Sequence, residues 1–100
     1  MLNMKLISRD TEGELQLIGR LDKSTAKDAE THLVEVGNRF DTLILDMSQL
    51  EYVSSAGLRA LKAAYITMRR KGGAFLVKNV TKPVMEVFEL TGFAGMLKFI

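Results

Sequence analysis

Glu14-Leu15-Gln16-Leu17-Ile18 alternates polar and apolar side chains, the pattern of a strand with one buried face. Before it, Lys5–Arg9 carries Leu6 and Ile7 and reads as a short strand. Asp10-Thr11-Glu12-Gly13 between them has turn chemistry, so the two strands form an antiparallel hairpin. From Ser24 to Val36 the period lengthens. Ala26, Ala29, Leu33 and Val36 make one helical stripe, with Asp22 or Ser24 as the cap and Gly37-Asn38 as the stop. Thr42–Met47 has a continuous apolar centre, which predicts a strand covered on both faces. Ser54-Ser55-Ala56-Gly57 opens a second helix with the stripe Leu58, Leu61, Tyr65 and Met68. Arg69-Arg70-Lys71 sits in its last turn, where cations favour the helix dipole, and Gly72-Gly73 ends it. Ala74–Val77 is another buried-type strand. Thr81 caps a third helix with Pro83 in its first turn; Val84, Val87 and Phe88 are its stripe and Thr91-Gly92 its end. Met96–Ile100 reads as a final strand.

The order is β-β-α-β-α-β-α-β, an α/β fold. It predicts one mixed sheet, edged by the first hairpin strand, with helices packed against it through right-handed crossovers. A chain of 100 residues supports one core, so residues 1–100 form a single domain. The second, third and fourth strands run parallel, and their carboxyl ends share the edge where open α/β sheets place their sites. Asp22 follows one of these strands and Ser54 and Ser55 follow the next, so the topology brings them to one rim. The N–H groups of Ala56, Gly57 and Leu58 are expected to point outward there, as at any helix start.

Composition narrows the chemistry. Hydrophobic residues are 47% and charged residues 26%, a globular balance. The net charge is only +2, from 14 basic and 12 acidic side chains, so direct nucleic-acid binding is not expected. Cysteine is absent and His32 is the only histidine, which excludes disulfides, thiolate metal sites and a multi-histidine cage within the chain. No apolar run approaches the roughly 20 residues of a membrane span. The start, Met1–Leu6, lacks the apolar core of a secretion signal, so a cytoplasmic location is expected. No Gly-rich phosphate loop supports a nucleotide, and no cofactor or metal is expected.

The rim holds two hydroxyls, a carboxylate and a helix start. Ser54 and Ser55 read either as caps or as a functional pair, and Asp22 either as a cap or as part of the same site. A catalytic serine needs a base. His32 falls in the middle of the first helix, and no Gly-x-Ser-x-Gly elbow is present, so a serine hydrolase is the weakest reading.

Asp46 to Leu58 runs D-M-S-Q-L-E-Y-V-S-S-A-G-L. With Gly19-Arg20-Leu21-Asp22 and Leu90-Thr91-Gly92-Phe93, in the right order and spacing, it resembles the STAS domain family, and within it the single-domain anti-sigma factor antagonists of bacteria. The resemblance implies a protein that binds an anti-sigma factor, itself a serine kinase, and frees the sigma factor. Phosphorylation of a serine at the start of the second helix switches that binding off, and a protein phosphatase reverses it. The phosphorylated position matches Ser55, with Ser54 as the alternative, because Ser54 stands where the family usually has Asp. Asp22 matches a family Asp that engages the partner. Around them Ser54, Ser55 and Gly57 are the expected partner contacts, and Leu58, Leu21 and Val53 read either as apolar contacts of the same interface or as core residues. Many members add a C-terminal helix beyond the last strand, and here a fourth helix is not expected. The resemblance also admits a non-phosphorylated STAS subunit docking on a lipid- or solute-transport ATPase complex. In neither case does it imply catalysis.

Overall fold

The computed structural model describes all residues from Met1 to Ile100. In chain order the elements are β1 (Leu2–Arg9), β2 (Glu12–Leu21), α1 (Ala26–Arg39), β3 (Thr42–Val53), α2 (Ser55–Lys71), β4 (Ala74–Lys78), α3 (Lys82–Thr91), a 3₁₀ helix (Phe93–Met96) and β5 (Lys98–Phe99). The strands pair in the order β1-β2-β3-β4-β5. β1 is antiparallel to β2 and every other pair is parallel, as the element order predicts.

Each crossover steps one strand in the same direction. Right-handed connections therefore place all three helices on one face of the sheet. One core of 20 residues results, drawn from alternate strand positions such as Leu15, Leu17, Leu43, Leu45 and Val77 and from Leu33, Leu61 and Phe88 of the helices. The expectation that β3 is covered on both faces is corrected here. Ile7, Glu14, Ile44 and Leu76 form one row across the opposite face, outside that core. Ile44 is nevertheless buried, because its neighbours on the sheet shield it. Glu14, only 3% exposed, is held there between Arg9 Nη1 and Lys78 Nζ, each at 3.1 Å. Asp46 is also buried on this face.

Several boundaries differ from the sequence reading, each for a local reason. β3 runs on past Met47 to Val53. Two register shifts against β2 break its alternation, so from Met47 onward its buried residues are Met47, Leu50 and Val53, spaced by three. α1 starts at Ala26, two residues later than expected, and continues through Gly37 to Arg39. Gly37 is not a stop but a contact: a Cβ there would lie 3.2 Å from Met68 Sδ on α2. The end of α1 is finished from outside, because Lys71 Nζ donates to the carbonyls of Gly37, Asn38 and Phe40 at 2.9, 3.2 and 2.8 Å. Thr81 sits at the start of α3, but its hydroxyl donates to Leu50 O at 2.9 Å and does not cap. The expected strand Met96–Ile100 shrinks to Lys98–Phe99, preceded by the 3₁₀ helix. No helix is long and apolar enough to cross a membrane.

Candidate functional site

β2 and β3 end side by side, with Leu21 opposite Val53. The Ser54 N–H donates to Leu21 O at 3.0 Å, so the turn leaving β3 is pinned to the end of β2. Gly57 makes the approach possible. A Cβ at this position would meet Leu21 O at 2.6 Å and Leu21 Cγ at 2.8 Å, so only glycine lets the first turn of α2 rest on the strand end. The Asp22 turn and the two serines thus share one rim, as the topology predicts.

The turn at Asp22 is closed internally. Asp22 Oδ1 accepts from the Ser24 N–H at 3.0 Å and from its hydroxyl at 2.7 Å. The Thr25 hydroxyl accepts from the Asp22 N–H at 2.9 Å and donates to Arg20 O at 3.0 Å. Neither Asp22 nor Ser24 caps α1; the cap position belongs to Thr25, whose side chain makes no capping bond. The Ser24 hydroxyl is the main cause holding the Asp22 carboxyl below the usual aspartate value, so it is ionised at neutral pH. Its other oxygen lies 3.8 Å from Arg20 Nε, and the Arg20 guanidinium stacks 4.4 Å from the centre of the exposed Tyr52 ring.

The two serines divide the work. Ser54 is the N-cap of α2 in extended geometry, and its hydroxyl accepts from the Gly57 N–H at 3.1 Å. Ser55, the first helical residue, is exposed and its hydroxyl makes no hydrogen bond within the protein. The expected row of outward N–H groups is corrected at two of its three positions: that of Gly57 is taken by Ser54 Oγ and that of Leu58 by Ser54 O at 2.8 Å, while that of Ala56 meets no acceptor in the protein. Leu58 is half-buried and remains at the surface of the rim. Leu21 and Val53, expected among the partner contacts, are 0% and 2% exposed and belong to the core. Gly57 is buried as well and shapes the rim without presenting a surface. Both side chains turn toward the helices, Val53 through the spacing of three that the register shifts impose on the end of β3.

His32 lines a separate cleft of about 320 Å³ between α1 and β1, with Leu2, Met4, Ser24, Thr25, Asp28 and Ala29. No hydrogen bond links it to Ser24 or Asp28, so the cleft holds no assembled nucleophile and base. No group of three or more acidic or imidazole side chains converges as a metal site. Sequence reasoning missed a second cleft, of about 230 Å³, between the start of α2 and the end of α3. Leu58, Arg59, Lys62, Thr91, Gly92, Phe93 and Met96 line it. The absence of any acidic residue from α2 is the signal in the sequence that could have found it.

Residues 4–100 match the family model of the STAS domain. The chain is 34% identical over 98 residues to BtrV of Bordetella bronchiseptica, named as an anti-sigma factor antagonist, covering 93% of this chain and 83% of that protein. Among solved structures, an anti-sigma factor antagonist from Mycobacterium paratuberculosis superposes with a TM-score of 0.87 at 23% identity, over 99% of this chain and 85% of that one. The antagonist SpoIIAA in its unphosphorylated form gives 0.80 at 16% identity, over 100% and 88% of the two chains. Its phosphorylated form gives 0.73 at 15% identity, over 100% and 91%.

Proposed function

The chain belongs to the STAS domain family, and from that premise we propose that it is an anti-sigma factor antagonist that works in the cytoplasm by binding, not by catalysis. Its partner is an anti-sigma factor that is also a serine kinase. The docking surface is the rim formed by the Asp22 turn, Ser54, Ser55 and Leu58, with Gly57 setting its shape. Ser55 is the phosphate acceptor and a protein phosphatase restores the binding form.

One observation carries the choice of acceptor: Ser54 spends its hydroxyl on the helix cap while Ser55 is exposed with none of its hydrogen-bonding capacity used. A phosphoserine adds about −1.5 to −2 charges at neutral pH. The start of α2 tolerates that charge, so the fold survives it. A protein pressed on the same rim has to desolvate the dianion, and the ionised Asp22 adds repulsion. A loss of about 2.8 kcal/mol weakens docking about a hundredfold, enough for a switch. SpoIIAA, of the same fold, has been solved in both phosphorylated and unphosphorylated forms, which supports a modification that leaves the domain folded.

The test is to incubate the protein with ATP and each purified anti-sigma factor of its host, map the phosphosite, and measure binding of wild type, Ser55→Ala and Ser55→Asp. Phosphate on Ser55, abolished by Ser55→Ala, with Ser55→Asp binding at least tenfold more weakly, is the expected result. Ser55→Asp binding as tightly as wild type rules out the charge switch, and phosphate on Ser54 reassigns the acceptor.

A further inference from the structure

α2 carries five cations, Arg59, Lys62, Arg69, Arg70 and Lys71, and no acidic residue. The last three stand in its final turn, where the helix dipole favours them; Arg69 also donates to the Tyr65 hydroxyl, and Lys71 caps α1. Arg59 and Lys62 have no such role. Neither enters any of the four ion pairs of the molecule or any side-chain hydrogen bond, and both are exposed. They flank the cleft between α2 and α3, whose floor is Leu58, Phe93 and Met96 and whose lining contains no carboxylate. Leu90, the residue before Thr91 of the lining, is 87% exposed. Leu58 and Arg59 lie three and four residues after Ser55, hence on the same helix face, so the cleft continues the docking rim.

We propose that this cleft is a second contact for the anti-sigma partner, and that it takes a segment presenting an apolar side chain beside one or two carboxylates. The inference rests on the function proposed above. Charge complementarity selects the occupant: the apolar side chain fills the floor, and its acidic neighbours pair with Arg59 and Lys62. At about 230 Å³ the cleft is smaller than the roughly 300–1,000 Å³ of a drug-sized ligand pocket and suits side chains of a docked protein. A symmetric pair of copies meeting through this patch would set Arg59 and Lys62 against their own equivalents, which disfavours a second copy.

The test uses the anti-sigma factor that binds wild type, titrated against Arg59→Glu/Lys62→Glu and against Lys27→Glu/Arg70→Glu, a control with the same charge change elsewhere. The cleft pair should weaken binding about tenfold or more and flatten its salt dependence, while the control stays within about threefold. The cleft variant should melt at the wild-type midpoint, since neither Arg59 nor Lys62 pairs with another side chain of the fold. Equal affinities for the cleft variant and wild type overturn the proposal while leaving the Ser55 reading intact. Wild type binding no anti-sigma factor overturns both. Loss of self-association in sedimentation, or of binding to phosphatidylglycerol vesicles, in place of loss of partner binding assigns the cleft to another occupant and overturns it too.

Discussion

Gly57, Ser54 and Ser55 occupy four consecutive positions with Ala56 and do three different jobs. Gly57 is fixed by contact with backbone, since a Cβ would lie 2.6 Å from Leu21 O and backbone cannot step aside cheaply. Gly57→Ala should cost about 1–3 kcal/mol in urea unfolding and weaken partner docking as the turn lifts from β2. Ser54→Ala removes the cap and should cost about 0.5–2 kcal/mol. Ser55→Ala should change stability by no more than about 0.5 kcal/mol, because its hydroxyl bonds nothing in the fold. The reverse order in a denaturation series would exchange the roles of the two serines. Asp46 supplies a titration. Burial alone would raise its carboxyl, but the Ser48 N–H at 3.0 Å, Asn79 Nδ2 at 3.4 Å and the charge of Lys78 outweigh it and hold it below the ordinary aspartate value. A depressed folded value stabilises the protein above the unfolded value and is lost as pH falls through the folded one. Wild type should therefore lose stability between about pH 5 and pH 3 more steeply than Asp46→Asn, read from urea midpoints.

Among the elements, the pairing of α1 with α2 depends on two residues that the linear pattern misassigns. Gly37 looks like a helix stop and is instead the point where α1 and α2 come close over Met68. Lys71 looks like one of three solvated cations and instead crosses to α1 to satisfy three carbonyls at its end. Lys71→Met keeps the aliphatic stem and removes the donor, so it isolates this interaction. It should cost about 1–3 kcal/mol, with fraying at Gly37–Phe40 visible as faster amide exchange. Arg70→Met, in the same turn but without these bonds, should be nearly silent. β3 gives a second case. Its first half shows the apolar run Leu43-Ile44-Leu45, while its second half hides in Ser48–Val53, because register shifts against β2 convert a period of two into a spacing of three.

For the molecule as a whole, the governing fact is that every crossover advances in one direction, which leaves the sheet with one helical face and one bare face. Leu45 and Leu76 test this. Leu45 is fully buried under the helices, and Leu45→Ala should cost about 2–5 kcal/mol. Leu76, half-buried on the bare face beside Ile44, should cost about half that or less when cut to Ala, because little is packed over it. Equal costs in chemical denaturation would mean that the bare face is a second core. The same topology explains what could be read from the chain and what could not. Spacing of apolar residues is a local property, so the Leu15–Leu17 alternation and the Ala26–Val36 stripe determined the elements. Their order determined the parallel sheet and the rim that joins Asp22 to Ser54 and Ser55. Burial is not local, because it depends on which neighbour, in which register, lies over a side chain. Only the tertiary structure could therefore put Leu21 and Val53 in the core, commit the Ser54 hydroxyl to Gly57 while leaving that of Ser55 unbonded, and bring Arg59 and Lys62 to the edge of a cleft closed by residues from the far end of the chain.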